Sequence, residues 1–338
     1  PLAGLTINSK TAVALPAVST QGVGDLTVTA ASGSITDGGN LVITGNSTFT
    51  VNGGGTPDII LDSAGNDFTG TLDFNGANLR HITVVDITAV DLQALSISGD
   101  LTVTAGGNIT DSGTLVVPGT STFNPGTNNV ELNEVLNNFS TVTASNSADV
   151  TVFDTNAITV GNITASNNVD ITSDGNTATI SGTIDTNPGG TVTIRADDIV
   201  LSGSIDAGAS NVYLLPDTAA TAVSIGGAAG FDLTQAELIS ITAGTIFVGE
   251  DNTPTVTAAA VTVCSSAAVD VGGLNLTLSG SDITAGGNTL TTTSVLTLKA
   301  STGAIEGNAG ASTDFAAATV DLDAVTGIGA TNPVETAA

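Results

Sequence analysis

The sequence predicts an all-β fold, specifically a single-stranded parallel β-solenoid in which successive coils stack on one another. Three observations predict it: apolar and polar residues alternate along short segments, turn-forming residues separate these segments, and the segments recur in long internal repeats. Because β-branched residues favour strands and a period of two buries one face, each segment is expected to be a half-buried strand. Clear examples are Leu26–Ala30, Thr191–Ile194, Thr255–Thr257 and Leu274–Leu278.

The separators between these strands are rich in Gly and Asn, which tolerate the positive φ angles of tight corners. They include Asp37–Asn40, Asn52–Gly55, Asn187–Gly190 and Ala285–Asn288. Helix-forming sequence is nearly absent. The best candidate is Thr234–Ser240, which predicts about two turns of helix.

Internal repeats of about 75 residues set the organisation. The clearest pair is 11–87 and 88 to about 155, in which Thr11–Leu15 matches Thr88–Leu92 and Asp25–Ala30 matches Asp100–Ala105. A repeat of this length predicts several coils of roughly 20–25 residues each, or about 15 coils in the chain. No linker interrupts the pattern and no large insertion between coils is evident, so we expect residues 1–338 to form one continuous solenoid. An antiparallel array of sandwich modules is the alternative fold.

The composition supports a folded chain with a narrow core. Hydrophobic residues make up 41%, charged residues 11% and aromatic residues 3%, and the mean hydropathy is +0.35. Disordered chains combine low hydrophobicity with high charge, so disorder is excluded. A core one or two side chains across needs only small and branched residues, and solenoids have such a core.

The same counts exclude several functional classes. Four Lys and Arg against 32 Asp and Glu, a net charge of -28, exclude a nucleic-acid-binding surface. Cys264 is the only cysteine, which excludes a disulfide scaffold, and with one His the chain lacks the ligands of a zinc site. No apolar stretch is long enough to span a bilayer. The chain begins with Pro1 and contains no Met, so we expect a processed piece or a segment of a longer protein.

Several phrases resemble the giant bacterial β-strand-repeat proteins of the filamentous-haemagglutinin-like class. They are Gly99–Thr110, Asn66–Gly70, Ala236–Gly244 with Ile246–Gly249, and Thr326–Thr336. The resemblance implies a right-handed parallel β-helix that is secreted or held on the bacterial cell surface, often through a partner transporter. It also implies roles in adhesion, biofilm matrix and fibre formation.

Two groups of residues are candidates for chemistry. Arg195, Asp197 and Asp198 follow one another closely, and on a strand Arg195 and Asp197 would share a face, as the cation and carboxylates of some polysaccharide-cleaving β-helices do. The alternative is a surface ion pair. Asp321 and Asp323 likewise share a face and could bind Ca²⁺ weakly with turn carbonyls, although the nonapeptide calcium-binding repeat is missing. We expect His81 and Cys264 to be structural.

The leading functional hypothesis is a non-catalytic extracellular or cell-surface fibre segment that needs no cofactor and associates with itself head to tail. An adhesin that binds a glycan or a cell surface is the alternative, and a polysaccharide-active enzyme is a third. The net charge predicts that salt or divalent cations promote lateral bundling, because neighbouring molecules repel over about the ~8 Å Debye length of physiological salt.

Overall fold

The computed structural model describes residues 2–218, 221–227, 230–249, 259–310 and 312–337. Its fold is all-β, a β-solenoid of about 15 coils with about 1% helix. The predicted strand Thr255–Thr257 lies outside the described residues. The chain divides into two compact units, Pro1–Ala165 and Ser166–Ala338. The expectation of one continuous domain stays a prediction.

The first unit consists of short strands joined by tight corners. In chain order they are β1 (Leu2–Ser9), β2 (Val13–Leu15), β3 (Val18–Ala30), β4 (Ile35–Asp37), β5 (Leu41–Ile43), β6 (Ser47–Val51), β7 (Ile59–Leu61), β8 (Asp67–Phe68), β9 (Leu72–Asn75), β10 (Ile82–Asp86), β11 (Val90–Leu92), β12 (Leu95–Ser96), β13 (Leu101–Ala105), β14 (Ile109–Asp111), β15 (Leu115–Asn124), β16 (Val130–Leu132), β17 (Asn138–Ser147), β18 (Val150–Asp154) and β19 (Ile158–Ala165).

The second unit has the same character and contains one short helix. Its elements are β20 (Val169–Ser173), β21 (Thr177–Ile180), β22 (Thr183–Asp185), β23 (Val192–Arg195), β24 (Asp198–Leu201), β25 (Ser204–Asp206), β26 (Asn211–Leu215), β27 (Val223–Ile225), β28 (Phe231–Leu233), α1 (Gln235–Leu238), β29 (Ile241–Thr242), β30 (Thr245–Val248), β31 (Val261–Val263), β32 (Val269–Asp270), β33 (Leu276–Gly280), β34 (Ile283–Ala285), β35 (Leu290–Thr291), β36 (Val295–Ala300), β37 (Ala304–Glu306), β38 (Phe315–Ala316), β39 (Thr319–Ala324), β40 (Gly327–Ile328) and β41 (Thr336–Ala337).

The strands pair in parallel from one coil to the next, which confirms the predicted solenoid and excludes the antiparallel alternative. Ser47 of β6 pairs with Leu72 of β9, 25 positions later, and Ile82 of β10 pairs with Leu101 of β13, 19 positions later. The first of these coil lengths lies within the predicted range of roughly 20–25 residues, and the second is one residue shorter than that range. The helix is shorter than predicted, with Thr234 as its N-cap and Glu237 completing a capping box.

The core is a set of inward ladders that follow the predicted alternation. In Leu26–Ala30 every second residue is fully buried, and Val28 is in register with Phe49, which is in register with Phe74. Most Phe residues lie in this core: the ring centroids of Phe49 lie 6.1 Å from those of both Phe68 and Phe74. The expected core of small aliphatic residues is therefore supplemented by buried aromatic rings.

The sequence repeat does not correspond to a whole number of coils. Three successive pairings lead from Val13 through Ile35 and Ile59 to Ile82. The repeat equivalent of Val13 is Val90, which lies in β11, and β11 pairs with β9 in a different ladder. Each sequence repeat is therefore longer than three coils by about one side of the solenoid. Residues that are equivalent in the two repeats, such as Val13 and Val90, consequently lie on different sides of the solenoid.

The coils of the second unit are longer near its middle. From Val212 to its partner Ile246 the chain takes 34 positions, and from Ile246 to Leu276 it takes 30. The first of these coils contains β27, β28 and α1, and the second contains β31 and β32. The expectation of no large insertion is therefore wrong. In the first of these coils the additional elements include the short strands β27 and β28, so the alternation of polar and apolar residues continues there.

Candidate functional site

Arg195 and Asp197, predicted to share a strand face, lie on different segments. β23 ends at Arg195, and Asp197 lies in the corner before β24. The Nη1 atom of Arg195 contacts both carboxylate oxygens of Asp170, one coil earlier, at 3.0 and 3.2 Å. The predicted shared strand face does not form, because β23 ends at Arg195 and Asp197 lies in the bend before β24. Arg195 forms a surface ion pair, as the alternative interpretation expected, and its partner is Asp170.

Asp197 holds a loop in place. It accepts hydrogen bonds from the backbone N and the Oγ1 of Thr218, both at 2.8 Å. Asp217 lies beside it and accepts a hydrogen bond from the backbone N of Gly175. Burial raises the pKa of Asp217, and the nearby carboxylates of Asp174 and Asp197 raise it further, against the effect of the Gly175 hydrogen bond. Both carboxylates therefore accept hydrogen bonds that stabilise the corner.

Asp198 begins β24 and faces other acids. Burial raises its pKa; backbone hydrogen bonds from Asp232 and Ile199 oppose this rise, and the charges of Glu237 and Asp232 add to it. The three residues of the predicted cluster thus have three separate environments: an ion pair, a loop anchor and a group of acids.

Asp321 and Asp323 lie together on the exposed face of β39, as predicted. In the neighbouring rung, Thr297 is opposite Asp321 and Lys299 is opposite Asp323. Within the described residues no group of three or more His, Cys, Asp or Glu side chains is arranged to hold a metal ion. Weak binding of Ca²⁺ at this pair stays a prediction.

His81 and Cys264 occupy structural positions. The Nδ1 atom of His81 accepts a hydrogen bond of 2.8 Å from the backbone N of Asp100. Cys264 is fully buried at a corner with a φ of 56°. Burial raises the pKa of its thiol to about 11, against the opposing hydrogen bond of the Val269 backbone. A thiol in this environment is protonated and inaccessible at neutral pH.

The site that sequence reasoning missed is an aromatic pair on the outer face of the second unit. The rings of Tyr213, in β26, and Phe247, in β30, have centroids 4.7 Å apart and an interplanar angle of 13°. Both side chains are half-buried and point away from the core ladders. Beside Phe247 lies a shallow cleft whose walls include Thr245, Asn275, Thr277, Val295 and Thr297.

This pair lies where the two longest coils of the second unit meet the regular stack, because β30 closes the first long coil and begins the second. The sequence did indicate that each ring points outward from its own strand. Tyr213 lies between the apolar residues Val212 and Leu214, and Phe247 lies between Ile246 and Val248. What the sequence did not show was that 34 residues separate strands that are adjacent in space.

Two stretches of the chain, 3–75 and 79–146, match a family described as repeats of unknown function (DUF5649). The offset between their first residues, 3 and 79, agrees with the repeat found in the sequence and supports its period independently. No curated protein and no solved structure gives a match to the chain. Among the described residues, no helix has the length and apolar character needed to cross a membrane.

Proposed function

We propose that this chain is a structural, non-catalytic segment of a fibre that is secreted or held on a bacterial cell surface. The observation that carries the proposal is the character of the rungs β1 and β39. Leu5 and Ile7 of β1 are half-buried, whereas their partners in β3, Leu26 and Val28, are fully buried. Among the described strands, β1 pairs only with β3.

The apolar residues of β39 are also less buried than those of the rung it pairs with. Its inward residues Val320 and Leu322 are half-buried, whereas Leu296 and Leu298 of the neighbouring rung are fully buried. Among the described strands, each of these rungs pairs on one side only, and a parallel edge with a partly exposed apolar ladder is a template for a further rung. Such contacts are heterologous and do not close, so they produce filaments.

A second molecule could supply that rung in register. If Leu5 of one molecule lies opposite Val320 of another, Ile7 falls opposite Leu322 and both apolar ladders continue without interruption. A further stretch of a longer chain could supply the same pairing. Both arrangements give the protein the same structural role.

Electron microscopy of the purified chain tests self-assembly, with and without Ca²⁺. We expect filaments, with more lateral bundling when Ca²⁺ screens the net charge of -28. Leu322→Asp places a charge in the free apolar ladder and should stop growth, whereas Asp321→Asn on the exposed face of the same strand should not. Monodisperse monomers of the unaltered chain would contradict self-assembly.

Mixing two blocked variants gives a sharper result. Ile7→Asp blocks β1 and leaves β39 intact, and Leu322→Asp does the reverse. Each variant alone should be monomeric, and an equimolar mixture should form dimers that grow no further. Long filaments from either variant alone would mean that growth does not use these rungs.

The second candidate function, an adhesin that binds a glycan, is favoured by the outward stack of Tyr213 and Phe247 beside the long coils. A chain with so few aromatic residues places most of them in its core, which makes an outward pair unusual. The cluster of Arg195, Asp197 and Asp198 adds no support to a polysaccharide-active enzyme, because Arg195 is paired with Asp170 and Asp197 with Thr218.

A further inference from the structure

One outward row on the second unit carries both aromatic rings. Successive pairings place Thr193, Tyr213, Phe247, Thr277 and Thr297 opposite one another on β23, β26, β30, β33 and β36. Neighbouring rungs are separated by about 4.8 Å. The two rings thus lie in the middle of the row, with threonines on both sides.

Among the described residues, ring stacking covers one face of Phe247 and leaves the other face open. Rings lying edge to edge in one plane could not have centroids 4.7 Å apart, so the nearly parallel rings of Tyr213 and Phe247 are stacked face to face along the row. The second face of Phe247 is therefore directed towards the rung of Thr277. Because threonine is much smaller than a ring, the stack ends there and the cleft begins.

The lining of the cleft combines an apolar ring face with uncharged polar groups. Among the residues that the structure describes, no charged side chain lines it. In the part of the chain that the structure describes, the hydroxyls of Thr245, Thr277 and Thr297 have no hydrogen-bond partner. Asn275 is fixed as a wall, because its Oδ1 accepts a hydrogen bond from Ser294 Oγ and its Nδ2 donates one to the carbonyl of Gly244.

We propose that this cleft binds a neutral oligosaccharide, with one pyranose ring stacked on the open face of Phe247. The C–H groups on a sugar face carry partial positive charge and are attracted to the negative face of an aromatic ring. The hydroxyls of Thr277 and Thr297 then exchange hydrogen bonds with the sugar hydroxyls. This inference deepens the second candidate function and does not depend on filament formation.

The charges favour a neutral sugar over an acidic one. The chain has a net charge of -28 and the cleft contains no cation, so a uronic acid or sulfated sugar would be repelled. An aromatic side chain of another protein could also stack on Phe247, but it would leave the three threonine hydroxyls without partners. A few placed polar groups around an apolar surface are typical of small-molecule sites.

Tyr213 provides an intrinsic fluorescence probe of the site, because it is the only tyrosine and the chain has no tryptophan. Its fluorescence can be titrated with neutral hexasaccharides of glucose, mannose, galactose and N-acetylglucosamine at up to millimolar concentration. At least one should change the emission saturably. Phe247→Ala should weaken its binding by about tenfold or more, which corresponds to 1.4 kcal/mol.

Three further variants separate binding from folding. Thr277→Tyr should extend the stack, fill the cleft and abolish binding. Thr277→Val keeps the shape but removes a hydroxyl, and should weaken binding a few-fold. Phe153→Ala removes an outward ring on β18 and should leave binding unchanged. Circular dichroism checks the fold of each variant.

Two outcomes would overturn the proposal: no hexasaccharide changes the emission, or Phe247→Ala binds as the unaltered chain does. Saturable binding of p-cresol without any sugar binding would also overturn it and would assign the cleft to an aromatic side chain. Because filament growth uses β1 and β39, Phe247→Ala should still polymerise, so the failure of one proposal is distinguishable from the failure of the other.

Discussion

The Nδ2 atom of Asn66 donates a hydrogen bond of 2.6 Å to Oδ2 of Asp37, 29 positions earlier in the chain. The Oδ1 atom of the same side chain accepts one of 2.8 Å from the backbone N of Leu41. In the next sequence repeat, Asn137 makes the equivalent bonds to Asp111 and Leu115. The repeat therefore preserves a buried polar clamp between coils as well as the strands.

Replacing Asn66 should destabilise the first unit. In Asn66→Ala the buried N–H of Leu41 loses its partner and Asp37 loses a donor, which should cost about 1–3 kcal/mol. Urea unfolding measures the change in the free energy of unfolding. Asn75→Ala, at an exposed position at the end of β9, is the control. Equal stability of the two variants would show that the clamp contributes nothing.

A second repeated feature predicts the pH dependence of stability. Asp86 and Asp154 end the equivalent strands β10 and β18 and are almost completely buried. Burial raises the pKa of Asp154 to about 6, against the opposing hydrogen bonds from the backbone N atoms of Phe139 and Asn156. The folded chain therefore holds this proton more tightly than the unfolded chain.

This difference in pKa between the folded and unfolded chain determines how stability changes with pH. The contribution of Asp154 to stability is fully present below pH 3.8 and is lost as the pH rises to about 6. The loss is on the order of 2–3 kcal/mol. In Asp154→Asn this part of the pH dependence should disappear, whereas Asp62→Asn, on the surface, should retain it. Parallel stability curves for both variants between pH 4 and about 7 would contradict the assignment.

The sequence predicted the parts of the fold that depend on local pattern. The alternation in Leu26–Ala30 predicted strand β3, and the repeat match between Asp25–Ala30 and Asp100–Ala105 predicted a second strand of the same pattern, β13. The predicted helical segment Thr234–Ser240 contains α1. These features are determined within a few residues or by direct repetition.

Contacts between coils were not predictable in the same way. Arg195 meets Asp170, 25 positions earlier, and Tyr213 meets Phe247, 34 positions later, because the lengths of the intervening coils bring these residues to neighbouring rungs. Coil length varies along the chain, and nothing in the alternation fixes it. The interpretation of Arg195 and Asp197 as one strand face failed for a related reason, since a strand end at Arg195 and a bend at Asp197 leave the alternation of polar and apolar residues unchanged.

The position of Asp197 predicts a local effect of its removal. Asp197→Ala should free the loop at Thr218, because the carboxylate accepts two hydrogen bonds from that residue. Amide hydrogen exchange at Thr218 should accelerate, with little change in β1–β19. Asp185→Ala, at the end of β22, serves as a comparison. Loss of a glycan-cleaving activity in Asp197→Ala would instead restore the enzymatic interpretation.

The environment of Cys264 predicts an unreactive thiol. The thiolate is the reactive form, and full burial together with a pKa raised to about 11 makes that form rare and inaccessible at neutral pH. A thiol reagent such as dithionitrobenzoate should therefore label the native chain only as fast as it unfolds. The neighbouring position gives a matched control, because Ser265 is exposed and Ser265→Cys should be labelled rapidly in the folded protein. Rapid labelling of the unaltered native chain would show that the corner at Cys264 opens without global unfolding.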